Sequence, residues 1–112
     1  MNDLDSKTIF YASSMLLFST MNRVLDLGAE IVDAKNLGTP STYRDIFWLL
    51  LKAKVIGKDF YEEFTILVKY RNILSHEYSE ITEKDVFDGI KRLEYAKKFV
   101  GQMKNLINKE LA

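Results

Sequence analysis

Apolar residues recur every three or four positions along most of this chain, and nowhere do they alternate between turn residues as a half-buried strand demands. A chain patterned in this way folds into helices that each bury one stripe. Its punctuation is sparse, with one proline and five scattered glycines. The clearest break is Asn36 to Thr42, where Asn, Gly, Pro, Ser and Thr cluster. The pattern before it predicts a first helix from about Asp5 to Ala34. Phe10, Leu17, Met21, Val24, Gly28 and Ile31 form its inner stripe, with Ile9, Leu16 and Leu27 beside them. That face is broader than one core contact requires.

Ser41 or Thr42 is placed to cap a short second helix that continues through Asp45, Phe47 and Leu51. It is expected to stop near Gly57, a residue free to take the left-handed conformation after a helix end. A third helix, about Lys58 to Ser75, opens on Asp59, Glu62 and Glu63 and turns Phe60, Phe64, Leu67, Val68 and Leu74 inward. A fourth begins at Thr82, paired with Asp85 in a capping-box pattern, and runs to about Lys109. Val86, Ile90, Leu93, Val100, Met103 and Ile107 line its inner face. Short connections favour antiparallel neighbours. The expected fold is therefore all-α, an up-and-down antiparallel bundle of three long helices plus one short helix, in a single domain of residues 1–112.

Several function classes drop out on composition. There is no cysteine, hence no disulfide, thiolate metal site or cysteine nucleophile. With one histidine, a metal site would have to be built of carboxylates alone, and Asp59, Glu62 and Glu63 are better explained as a helix start that suits the dipole. No cofactor or metal is expected. The glycines form no phosphate loop, and no serine sits in a nucleophile elbow. The uncharged run from Thr8 to Asn22 is too short to span a membrane and is preceded by Asp3 and Asp5, so a cytoplasmic protein is expected. Sixteen basic and sixteen acidic residues cancel, which leaves no general attraction to nucleic acid. Any RNA contact must be local, and Lys91, Arg92, Lys97 and Lys98 on the last helix are the secondary candidates for the RNA backbone, or else a solvated face. Trp48 and Phe47 lie in a strongly apolar helix and are read as core in preference to a platform for base stacking.

The end of the third helix carries the chemistry. Tyr70-Arg71-Asn72-Ile73-Leu74-Ser75-His76-Glu77-Tyr78 holds the sole histidine, five positions after an arginine. On a regular helix that spacing turns the two side chains about 140° apart, a gap that a long arginine closes if the helix loosens near His76. The pair suits phosphodiester cleavage. A guanidinium holds a phosphate through two parallel hydrogen bonds and neutralises charge that grows in the transition state. Imidazole moves protons near neutral pH. RNA brings its own nucleophile, the 2′-hydroxyl. The same residues also have a purely structural reading, with the histidine capping helix carbonyls and the arginine paired to a nearby glutamate.

Arg71 to Tyr78 resembles the Arg-x4-His-x-Tyr signature of HepT-like HEPN proteins, including the polar Asn72 after the arginine. The Ser41-Thr42-Tyr43-Arg44 helix start, the Val55-Ile56 stop and the apolar fourth helix extend the likeness over roughly residues 40 to 107. The resemblance implies a HEPN-like bundle and a metal-independent endoribonuclease toxin. Arg71 and His76 would be its catalytic pair and Asn72 would support them. It also implies a homodimer whose two Arg–His motifs line one cleft, which fits the chemistry, because cleavage benefits from both a base and an acid and each chain has a single histidine. The implied partners are an RNA substrate and an MntA-type minimal nucleotidyltransferase antitoxin, which would silence the toxin by transferring AMP to Tyr78 and so place a phosphate beside Arg71. Tyr78 is otherwise an amphipathic residue at a helix end. Many members carry an additional helix ahead of the segment that resembles this chain's first one. A non-catalytic helical module that pairs with a nucleotidyltransferase is the alternative.

Overall fold

The computed structural model describes the backbone of residues 3–76 and 80–111, and the side chains of residues 6–76 and 80–109. Four helices follow in order: α1 (Asp3–Ala34), α2 (Tyr43–Lys52), α3 (Lys58–His76) and α4 (Glu83–Leu111). Among the described residues there is no strand. The fold is the expected all-α bundle, drawn out to 52 × 28 × 20 Å by its two longest helices. α1 lies against each of the other three, and α3 lies between α2 and α4. No helix among the described residues is long and apolar enough to cross a membrane.

The helix ends follow from their sequences, with one correction. Thr42 caps α2 in a full capping box: Asp45 N–H donates to Thr42 Oγ1 at 3.2 Å, and Thr42 N–H donates back to Asp45 Oδ2 at 3.2 Å. Thr82 and Asp85 repeat the arrangement ahead of α4, at 3.1 and 3.3 Å. α1 ends with Asn36 in the left-handed region (φ 54°), where Asn36 N–H bonds the Asp33 carbonyl and Leu37 N–H the Val32 carbonyl. α2 ends in the same way, but its left-handed residue is Lys54 (φ 63°) and not Gly57, with Lys54 N–H on the Leu51 carbonyl and Val55 N–H on that of Leu50. These two bonds satisfy end carbonyls and offset the backbone cost of a non-glycine residue in that conformation.

The core is built around three phenylalanines from three helices. Phe47 stacks on Phe64 at 4.7 Å between centroids, and Phe99 meets Phe64 edge-on at 5.1 Å and Phe47 at 6.2 Å. Leu17, Met21 and Val24 of α1 complete the burial, as their stripe predicted. The periodicity misjudged several neighbours. Phe99 and Ala96, absent from the expected inner face of α4, are fully buried, while Val100 is only partly so. Ile9 and Leu16, expected beside the α1 stripe, are exposed. Trp48, expected in the core, is 46% exposed, because α2 buries a narrow face of Ile46, Phe47 and Leu50. Close approach fixes two glycines. A Cβ on Gly28 would fall 2.9 Å from Ile46 Cγ2, and one on Gly89 would fall 2.6 Å from Leu17 Cδ2 and 3.2 Å from Tyr70 Cδ2.

Phe64→Ala is expected to cost about 3–5 kcal/mol, and Thr42→Ala, which removes only a cap, about 1 kcal/mol. Urea unfolding of the two variants checks both the size and the order of these losses.

Candidate active site

Arg71 stands two turns beyond Phe64 on α3, so its side chain leaves the helix on the core side, between α1 and the start of α2. Its Nε donates to Oδ1 of Asn22 on α1 at 2.9 Å, and its Nη1 donates to Oδ1 of Asn72 at 3.3 Å. The guanidinium carbon lies 4.5 Å from the ring centroid of Tyr43 and 5.1 Å from that of Phe18. Aromatic faces favour this flat, weakly hydrated cation and hold it in place. The two amide oxygens occupy part of the guanidinium fork, and among the described residues no other hydrogen-bond acceptor meets it.

His76 is the last residue of α3 and is exposed. With Asn72, Tyr43, Pro40, Ser41, Thr42 and Ile46 it lines an open cleft of about 520 Å³. His76 and Asn72 thus share one cleft. Arg71 is not part of its wall but touches two residues that are, Tyr43 and Asn72. Tyr78 lies outside the described residues. Nothing in the motif pointed to Asn22, Phe18 or Tyr43 as partners of Arg71. The available signal was Asn22 itself, an amide closing the uncharged run and one position from the buried Met21. A polar group at such a place calls for a partner.

A second set of side chains braces this end of α3. The Tyr70 hydroxyl donates to Asp88 Oδ2 at 2.6 Å, Arg92 Nε donates to the same oxygen at 2.9 Å, and Arg92 Nη1 pairs with Glu63. Arg92 is therefore held within the bundle by two carboxylates, which removes it from the candidates for RNA contact, whereas Lys91, Lys97 and Lys98 are exposed. Burial and the bond to Asp88 push the Tyr70 hydroxyl up to about 12. The bonds from Tyr70 and Arg92 hold the Asp88 carboxyl below the usual carboxylate range. The bonds to Asp88 and Glu63 raise Arg92 further above its already high value. Among the described residues, no three or more His, Asp or Glu side chains gather as metal ligands would.

The family model described as Ribonuclease HepT-like matches residues 2–103. The match takes in α1 as well as the segment from residue 40 onward. No curated protein and no solved structure matches the chain.

The brace has a definite pH signature. Tyr70 keeps its proton to higher pH in the folded chain than its ordinary value of 10.0, so its contribution is complete below pH 10 and is lost as pH rises towards about 12. Asp88, lowered from 3.8, contributes above that value and loses its contribution as pH falls through its lowered folded value. Tyr70→Phe is expected to lower the urea midpoint at neutral pH and to flatten its decline between pH 10 and 12. Circular dichroism across that range reads both effects.

Proposed function

As the chain belongs to the ribonuclease HepT-like family, we propose that it is a metal-independent endoribonuclease and the toxin of a toxin–antitoxin pair. The observation that carries this reading is Arg71, held by Asn22 and Asn72 over the ring of Tyr43, at the edge of the cleft that His76 lines. In the proposed reaction the 2′-oxygen of the RNA attacks the adjacent phosphorus and one imidazole takes its proton. The bond from phosphorus to the 5′-oxygen breaks, and a second imidazole, as imidazolium, gives that oxygen a proton. The products are a 2′,3′-cyclic phosphate and a free 5′-hydroxyl. The N–H groups of Arg71 that Asn22 and Asn72 do not engage would hold the non-bridging oxygens as their charge grows.

A reaction with two imidazoles needs two chains. Tyr11 and Met15 support a homodimer, since both are exposed on α1 within two turns of Phe18 and on its side of the helix, and Phe18 packs on Arg71. An interface along that face would bring two Arg71 side chains towards each other. Control by a minimal nucleotidyltransferase completes the reading. The Tyr78 oxygen would attack the α-phosphorus of ATP, lose its proton and release pyrophosphate, leaving AMP beside the motif.

The ring and amide contacts of Arg71 also favour a second reading, in which it is structural and the chain is a helical binding module that pairs with a nucleotidyltransferase and cleaves nothing. Cleavage by the purified protein separates the two. RNA incubated with it in EDTA should yield cyclic phosphate ends. His76→Ala should slow this by about 10²-fold or more, and Arg71→Lys by a comparable factor. Unchanged rates in both variants would refute the assignment. With a cognate nucleotidyltransferase and ATP, intact-mass measurement should show AMP addition that Tyr78→Phe removes.

A further inference from the structure

A second cleft of about 520 Å³ opens on the other side of Asn72 from His76, walled by Tyr43, Trp48 and Tyr61, with Val68 at its base and Arg44 at its rim. Trp48 and Tyr43 are 46% and 41% exposed, so two large rings are left facing solvent in one concave place. The Trp48 and Tyr61 rings are 6.1 Å apart at 58°, which fixes the indole against a neighbour instead of leaving it loose. Lys52 Nζ lies over the indole at 5.9 Å from its centroid, and Arg44 and Lys69, with the carboxylate Glu80, line the adjoining groove that also reaches Asn72. The one carboxylate in the cleft, Asp45, is taken up by the backbone N–H groups of Ser41 and Thr42. The cleft is therefore aromatic within, and Arg44 is the cation among its lining residues.

We propose that this cleft is a nucleobase subsite, in which Trp48 stacks on the base next to the scissile phosphate while Arg44 faces the adjoining backbone. The proposal rests on the ribonuclease reading and adds to it where the substrate strand runs. Tyr43 and Asn72 line both clefts, so a strand whose phosphate lies at Arg71 and His76 reaches Trp48 by its neighbouring nucleotide. Stacking on an aromatic face tolerates any base, and flanking cations follow the phosphates, so the occupant is single-stranded RNA with little sequence preference at this position. Stacking does not depend on net positive charge, so the subsite also suits a chain whose net charge is zero.

Trp48 is the sole tryptophan, so its fluorescence reports this cleft alone. The probe is a short single-stranded 2′-O-methyl RNA, which lacks the nucleophile and so binds without being cut, together with the same backbone carrying no bases. The full chain should show saturable quenching by the first and little by the second. Anisotropy of the labelled probe should show Trp48→Ala binding about tenfold or more weakly, with Trp48→Phe close to the parent and circular dichroism unchanged in both. Equal quenching by the abasic strand, undiminished binding by Trp48→Ala, or failure of the probe to bind the parent protein would each overturn the proposal. Should Trp48→Ala not fold, the quenching comparison on the parent protein decides alone. Cleavage is read separately: an active enzyme whose KM is indifferent to Trp48→Ala removes the subsite and leaves the ribonuclease reading standing. Base-dependent quenching without cleavage does the reverse.

Discussion

The contact among Phe47, Phe64 and Phe99 sets the rotation of three helices at once. Once Phe47 is turned into it, the other directions on α2 follow from the helical repeat. Tyr43, one turn earlier, comes to lie over Arg71, and Trp48, about 100° further round, is turned out into the open cleft. The same holds on α3, where Phe64, Val68 and Arg71 share one side. The position of the guanidinium is thus a consequence of hydrophobic packing two turns away. α1 adds the last wall, bringing Asn22 and Phe18 from 49 and 53 residues earlier in the chain.

Arg71 is held by forces that a lysine would not feel equally. The guanidinium lies over two rings, and a directed bond from Nε requires the planar fork; together they take much of the side-chain freedom from a residue that is usually mobile. The cost is reduced capacity, because donors engaged by Asn22 and Asn72 are not available to a phosphate. Asn72 stands at the balance point. It bonds the guanidinium and lines the cleft of His76, the aromatic cleft and the groove of Arg44 and Lys69.

Much of this could be read from residue order, and the exceptions have physical causes. Local signals did well: the Asn36 to Thr42 break, both Thr–Asp capping boxes and the inner stripe of α1 lie where their neighbours in sequence demand. The stop of α2 was placed at Gly57 because glycine is the residue that most readily takes a left-handed turn, yet two backbone hydrogen bonds make Lys54 take it. Phe99 was missed because periodicity fixes the phase of a long helix only to about one residue, and its neighbour Val100 is also apolar. Trp48 was misjudged because an apolar sequence says how much a helix wants to bury and not how much its neighbours can cover. At the candidate site, Arg71, Asn72 and His76 could be singled out together because they are close in sequence, and the structure places them on the last turns of α3. Asn22, Phe18 and Tyr43 could not, since only the packed bundle brings them to Arg71.

The brace from Tyr70 through Asp88 and Arg92 to Glu63 divides α3 unequally. Hydrogen bonds tie Tyr70 to α4 and Arg71 to α1, and Leu74 still packs on the core, whereas Ser75 and His76 are exposed. Packing is therefore distributed very differently between the two motif residues. The group suited to hold a phosphate is packed between rings and amides, while the group suited to carry a proton stands exposed on the last turn. Any assembly that needs both in one geometry must order the second at the moment of encounter, so the tightness of that encounter depends on how much order the incoming surface supplies to the last turn.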